Sequence, residues 1–415
     1  MTSTERWLVM VLMCLAGSVV FWGPFFADVF YVPMQEAFGF TNTQMGVLSS
    51  VFGTTSLIGY FPGGWIADRF APRKLIAVSL LIVAAGGFVF WTIPSFEICL
   101  IVFGVWGFAI TLMLWSAMIK AIRGWGSRNE QGRAFGLLEG GRNISDMTTS
   151  ALLVGLFAYW GGDHMAVDEV ILAQTLALPV IALLVWFYLE DDPAGDENSG
   201  STQPVIELAQ MKEVLKLPIV WLLSVIIMAA YYGYWGSYYF SAYAIRVLEL
   251  GEVMGSTIGG AKYWIAPPAA IAAGFIADKI GAARAVVWSF VVMTIGLLVM
   301  GLTTGAAALL TIMLVNISVV AIAVFALRGI YFALMEQGKV PIAVTGTATG
   351  VVSVLGFTPD VFAPLMAGYL FDSYPGETGF RYYYLAIGAM SFVGLLASYS
   401  VYRMIAAQEK NMACS

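Results

Sequence analysis

Gly64-Trp65-Ile66-Ala67-Asp68-Arg69-Phe70-Ala71-Pro72-Arg73 follows one long apolar stretch, and Gly274-Phe275-Ile276-Ala277-Asp278-Lys279-Ile280-Gly281-Ala282-Ala283-Arg284 follows another. The two copies stand about 210 residues apart in a chain of 415. A G-x-x-x-D-[RK] turn between apolar runs, repeated at half the chain's length, points to two homologous membrane-embedded halves. Composition agrees. The chain is 60% hydrophobic and 11% charged, with a mean hydropathy of +0.83. A soluble chain carries about twice that share of charge. Forty-four glycines among apolar runs suit helices that pack closely in lipid. Cys14, Cys99 and Cys414 show no metal or redox spacing and no disulfide framework. The net charge of −6 carries no information about a partner, because Lys/Arg placement is what orients a membrane chain.

A helix needs roughly 20 apolar residues to cross the bilayer core. Twelve stretches meet that length, near 7–33, 43–67, 75–93, 97–119, 134–160, 168–189, 218–243, 253–277, 285–303, 306–330, 343–371 and 382–404. The first is too long for a secretory leader and has no small-residue cleavage site. Basic residues then set the direction. Arg69, Arg73, Lys74, Lys120, Arg123, Arg128, Arg133, Lys212, Lys216, Lys279, Arg284, Lys339, Arg403 and Lys410 fall on one side, and Arg246 and Arg381 on the other. That asymmetry places both termini in the cytoplasm of a multi-pass protein of the cell (inner) membrane. Residues 190–202 are acidic, small and proline-containing, as a flexible linker is. Residues 205–216 alternate apolar and charged residues at helical spacing, as a surface helix does. The expected organisation is an N-terminal bundle over 1–189, a cytoplasmic linker with surface helix over 190–216, and a C-terminal bundle over 217–415.

In residue type and spacing, the repeated turn resembles the signature loop of the major facilitator superfamily, and the resemblance covers nearly the whole chain. It implies an all-α polytopic membrane protein with twelve transmembrane helices in two pseudo-symmetric six-helix bundles, moving a solute by alternating access. It also implies that Asp68 helps latch the two bundles on the cytoplasmic face. Gly64, Arg69, Arg73 and Asp278 belong to the same gating set. Ala71-Pro72 stand where glycine is usual. The alternative is that these charges only anchor loops.

Ionisable residues at mid-bilayer depth are costly, so each is a functional candidate. On the fifth span Glu139, Arg142, Asn143, Asp146 and Ser150 fall within an arc of roughly 100°. Such a stripe faces a wet cavity or another bundle. Lys262 lies on the eighth span, near the same depth as Arg142. Two cations there could approach one anion from opposite halves, Arg through its planar fork and Lys as a point charge. Arg142 could instead pair within its own helix with Glu139 or Asp146, and Lys262 could be a structural pair or snorkel. Asp146 beside Arg142, together with Glu139 and with Asp360 on the eleventh span, are candidates for proton coupling. Tyr231, Tyr234, Trp235 and Tyr238 share a face of the seventh span and offer hydrogen-bond donors to a solute, or simply core packing. Asp28 lies near the outer end of the first span. Arg328 and Glu336 read as a cytoplasmic gate or as interfacial anchors.

Trp125-Gly-Ser127-Arg128-Asn-Glu130-Gln-Gly132 is similar to the equivalent loop of organophosphate:phosphate antiporters and related anion symporters. Aligned on Glu130 and Gly132, Arg142 and Asn143 fall on substrate-pocket positions of that branch. The first and seventh spans lack the mid-depth arginines of those antiporters. The resemblance therefore carries anion handling in a rearranged pocket and not phosphate-ester exchange.

A membrane enzyme would need a nucleophile–base pair or a metal cluster, yet the single histidine, His164, lies in an outer loop. There is no H-E-x-x-H, P-loop or dinucleotide fingerprint. No cofactor and no nucleic-acid partner are expected. The expected partners are a small anionic solute, protons and membrane lipid, with the chain acting as a monomer. The expected activity is proton-coupled uptake of a small organic anion. The alternatives are anion exchange and proton-driven export of drugs or other hydrophobic compounds.

Overall fold

The computed structural model describes residues 3–125, 131–189, 215–338 and 345–414. Most of the expected linker and surface helix, residues 126–130 of the loop before the fifth span, and the side chains of Asp68 and Glu336 lie outside that description. Every regular element among the described residues is helical. Among the described residues, helix makes up most of each of the twelve stretches read as spans, and eight segments are long and apolar enough to cross a membrane by length and composition. The second (Asn42–Arg69), fifth (Gln131–Tyr159) and eighth (Glu252–Ile280) spans carry more Gly, Ser, Thr or charge. The first span is broken.

That break departs from the single stretch read over 7–33. The first span forms two helices, Ser3–Val19 and Ala27–Phe38, with Gly23-Pro24 in the turn between them. Proline has no N–H to continue the helical ladder. The second piece kinks at Phe30 (φ −113°, ψ 41°), within a turn of Pro33. Asp28 thus sits in the first turn of a short, bent helix. The eleventh span breaks likewise into Thr345–Gly356 and Pro359–Ser373, at a proline that has no N–H to continue the ladder of the first piece. The fourth span changes pitch, passing from Phe96–Phe108 through a π-helical stretch, Ala109–Trp115, to Ser116–Trp125.

The chain divides into two compact units, Met1–Asn198 with Leu250–Tyr263, and Ser199–Glu249 with Trp264–Ser415. The first unit therefore includes the opening half of the eighth span. In lipid, close packing and hydrogen bonds hold helices together, because water exclusion between them is lost. The first unit shows this where its second and fourth spans meet. A Cβ on Gly63 would lie 2.8 Å from the Thr111 carbonyl oxygen, and one on Gly107 would lie 2.7 Å from that of Phe52. Its core rings include Phe26, Phe30, Phe90, Phe103, Trp106 and Phe157. In the second unit, Tyr383 donates its hydroxyl to the Trp235 carbonyl (3.0 Å) and Tyr384 to that of Gly236 (3.2 Å). Those bonds brace the seventh span, Pro218–Tyr238, just before it gives way to the short helix Phe240–Arg246.

Candidate functional site

In the first unit Arg142 is fixed from three directions. Its Nε donates to the Gly17 carbonyl (3.0 Å) and its Nη1 to Glu139 Oε1 (2.9 Å). Its guanidinium carbon lies 5.0 Å from the Trp115 ring centroid and 6.0 Å from that of Phe21. Gly17 makes this possible: a Cβ there would stand 3.1 Å from Arg142 Cδ. Trp115 closes the π-helical stretch, and such stretches recur at functional sites because they re-aim side chains. The Arg142 side chain is 16% exposed and that of Glu139 60%. The ion pair is therefore open at its acidic end. Among the described residues, Nη2 of Arg142 has no hydrogen-bond partner. Asn143 turns back on its own helix, donating to the Glu139 carbonyl (2.9 Å).

Asp146, one turn on, accepts from Ser18 Oγ (2.6 Å) and Trp22 Nε1 (3.2 Å) through the same carboxylate oxygen. The Trp22 ring rests on Tyr263 at 5.4 Å between centroids, and Tyr263 donates its hydroxyl to Asp28 Oδ2 (2.6 Å). The other oxygen of Asp28 takes the Lys262 ammonium. A continuous chain of contacts thus runs from Lys262 through Asp28, Tyr263 and Trp22 to Asp146. Lys262 and Arg142 have different partners here, and the lysine is fully paired within the protein. The sequence reading left Asp28 out of the site. Its signal was a carboxylate in an apolar span, which is too costly to occur without a partner.

The second unit carries a corresponding arrangement. Trp235 Nε1 donates to Asp360 Oδ1 (2.9 Å), about 210 residues beyond the Trp22–Asp146 pair. The aromatic face of the seventh span divides. Trp235 and Tyr238 are 1% and 2% exposed and pack on each other. Tyr231 and Tyr234 are half-buried, and Tyr234 carries the Arg328 guanidinium 4.3 Å above its ring.

The hinge residues also recur in pairs. Arg73 lies over Trp186 (5.2 Å) in the first unit and Arg284 over Tyr402 (5.5 Å) in the second, each at the far end of that half's last span. Arg69 stacks on Trp65 (3.7 Å). Lys120 donates to the Ala67 carbonyl (2.7 Å), satisfying one of the last acceptors of the second span. Gly64 is half-buried and Asp278 exposed.

Residues 12–359 match the Major Facilitator Superfamily, and the chain belongs to that superfamily. It is accordingly a multi-span membrane transporter and not an enzyme. It is 27% identical over 399 residues to the inner membrane protein YqcE of Escherichia coli (strain K12), covering 91% of this chain and 90% of that one. It is 23% identical over 310 residues to the probable nitrate/nitrite antiporter NarK1 of Thermus thermophilus, covering 71% and 67%. Among solved structures it is similar to a bacterial homolog of the human lysosomal transporter Spinster, with a TM-score of 0.75 at 15% identity over 97% of this chain and 99% of that one. That likeness is one of fold.

Proposed function

We propose that this transporter moves a small organic anion across the cell membrane by alternating access, with a proton as the coupled ion. The observation that supports this most is Arg142. It is a guanidinium inside a transmembrane helix, held rigidly by Gly17, Trp115 and Phe21, and among the described residues its one ion pair is with its exposed neighbour Glu139. A fixed fork of N–H donors in a low-dielectric surrounding suits a carboxylate or similar planar oxyanion. An anion arriving at Arg142 would draw the cation's field away from Asp146 one turn on. A carboxylate so deprived, with Ser18 and Trp22 as its donors, becomes easier to protonate. Anion and proton would then load together. NarK1 is by its name an anion antiporter, and that favours exchange as the second reading.

Thermal stability of the purified protein against carboxylates, sulfonates, sugar acids and cationic drugs tests this reading, since a bound ligand raises stability with its saturation. Stabilisation confined to one anion class and lost in Arg142→Ala supports it. Stabilisation by cationic or apolar compounds only moves the assignment to an exporter.

A further inference from the structure

The tenth span, Leu310–Ile330, holds an ionisable side chain that the transport reading has not used. Arg328 stands near the end of that helix, and its guanidinium carbon lies 4.3 Å from the Tyr234 ring centroid and 5.9 Å from those of Tyr231 and Phe325. Tyr231 rests in turn on Phe357, at 4.8 Å between centroids. Rings from the seventh and tenth spans thus bed one cation, backed by one from the eleventh. Tyr331 is hydrogen-bonded to it, and Asp360 is close enough to act on it electrostatically.

Arg328 is exposed, and the direction of its exposure is informative. Val315, Val319 and Ile322 form the exposed apolar stripe of this helix at i, i+4 and i+7, the pattern of a lipid-facing side. Arg328 projects about a third of a turn away from Ile322. An interfacial anchor would reach outward toward headgroups; Arg328 instead lies across aromatic faces inside its own unit. An ionisable group so placed belongs to the bundle interior or a water-filled cavity, where such groups serve solute or ion pathways.

The second unit also repeats the layout of the first. In one, an arginine lies on rings of the first and fourth spans (Phe21, Trp115), near a Trp–Asp hydrogen bond. In the other, an arginine lies on rings of the seventh and tenth spans (Tyr234, Phe325), near the equivalent Trp–Asp bond. The arginine has moved to a different helix while its aromatic bed has kept its place in the repeat. We infer that Arg328 is a second oxyanion-binding residue, gripping a carboxylate with Tyr231 and Tyr234 as the walls of its subsite. The phenol rings hold the planar cation in place while leaving its charge to act on an incoming carboxylate. The aromatic walls favour a carboxylate attached to an apolar or ring-bearing body. The inference rests on the anion-transport reading and extends it to a residue that position along the chain had suggested was an anchor.

The test uses the full-length protein in detergent, with benzoate, succinate and gluconate as probes and thermal stabilisation as the readout. For whichever probe stabilises the wild type, Arg328→Ala is expected to raise the apparent Kd about tenfold or more. Arg328→Lys, which keeps the charge but not the fork, should raise it less while leaving the ligand-free unfolding temperature unchanged. Wild-type affinity in both variants overturns the inference and leaves the anion-transport reading standing. No stabilisation of wild type by any of the three overturns the carboxylate subsite, whereas stabilisation by cationic or apolar compounds only overturns the anion-transport reading with it. Should Arg328→Ala fail to fold, phenylglyoxal labelling of wild type, mapped by mass spectrometry, replaces it. Protection of Arg328 by the probe supports the subsite, and labelling unchanged by the probe overturns it.

Discussion

Lys262 and Asp28 form an ion pair in which the side chains are 1% and 0% exposed. The pair joins residues 234 positions apart, and Tyr263 completes the shell of Asp28 with a second hydrogen bond. Breaking such a pair from one side leaves a buried charge without compensation. Lys262→Ala is therefore expected to destabilise the protein by about 3–5 kcal/mol. The double variant Asp28→Asn/Lys262→Met should recover most of that loss. Chemical or thermal unfolding in detergent reads both. Equal stability of Lys262→Ala and wild type would mean that the pair does not form.

The Trp–Asp hydrogen bonds are expected to carry similar weight in the two units. Trp22→Phe and Trp235→Phe each remove one N–H donor and should cost about 1–2 kcal/mol. Asp146→Asn and Asp360→Asn keep an acceptor oxygen and should cost less. A pair of Trp→Phe variants as stable as wild type would mean that these hydrogen bonds do not form.

At the start of the eighth-span helix, burial holds the Glu252 carboxyl above its ordinary value of 4.5, with Glu36 and Asp163 adding to the shift and His164 opposing it. An acid with a raised folded-state pKa holds its proton more tightly folded than unfolded. Stability is then greatest below the ordinary carboxylate range and falls as pH climbs through the raised value. The group is partly exposed, so solvent screening keeps the effect small. Glu252→Gln should unfold at a higher temperature than wild type near pH 7.5 and at a similar one near pH 4. A constant offset at every pH would show that proton linkage is not involved.

At the hinge, Lys120 holds the Ala67 carbonyl in the last turn of the second span. Lys120→Met removes a charge-assisted bond worth about 1.5–3 kcal/mol that is not among the contacts of Arg142. Solute affinity should stay near wild type while transport rate changes. An affinity loss as large as that of Arg142→Ala would place Lys120 in the binding machinery instead.

Much of the fold is legible in the sequence because its signals are local. The repeated turn around Asp68 and Asp278 and the length of the apolar runs need no knowledge of tertiary contacts. The break at Gly23-Pro24 was not legible from its proline alone, since Pro62, Pro179 and Pro267-Pro268 lie inside continuous helices. The sites were harder, because a partner's identity depends on which helices pack. Asp28 looked peripheral from its place near the span's end, and only folding brings Lys262 to it. Arg328 was read by distance from the helix end, which says nothing about the rings beside it. The Trp22–Asp146 and Trp235–Asp360 pairs did leave a trace in the sequence, as a second repeat at the same interval as the hinge. The face shared by Tyr231, Tyr234, Trp235 and Tyr238 was legible in periodicity, while its division into two environments was not. One part is packed on the twelfth span's tyrosine contacts and the other lies beneath a cation.

The most direct measurement is uptake by proteoliposomes, with a stabilising carboxylate supplied outside and an inwardly directed proton gradient imposed. Accumulation that follows the gradient, collapses with an uncoupler and is abolished in folded Arg142→Ala protein is the expected result. Accumulation that is independent of Arg142, or that occurs only for cationic or apolar compounds, would contradict it.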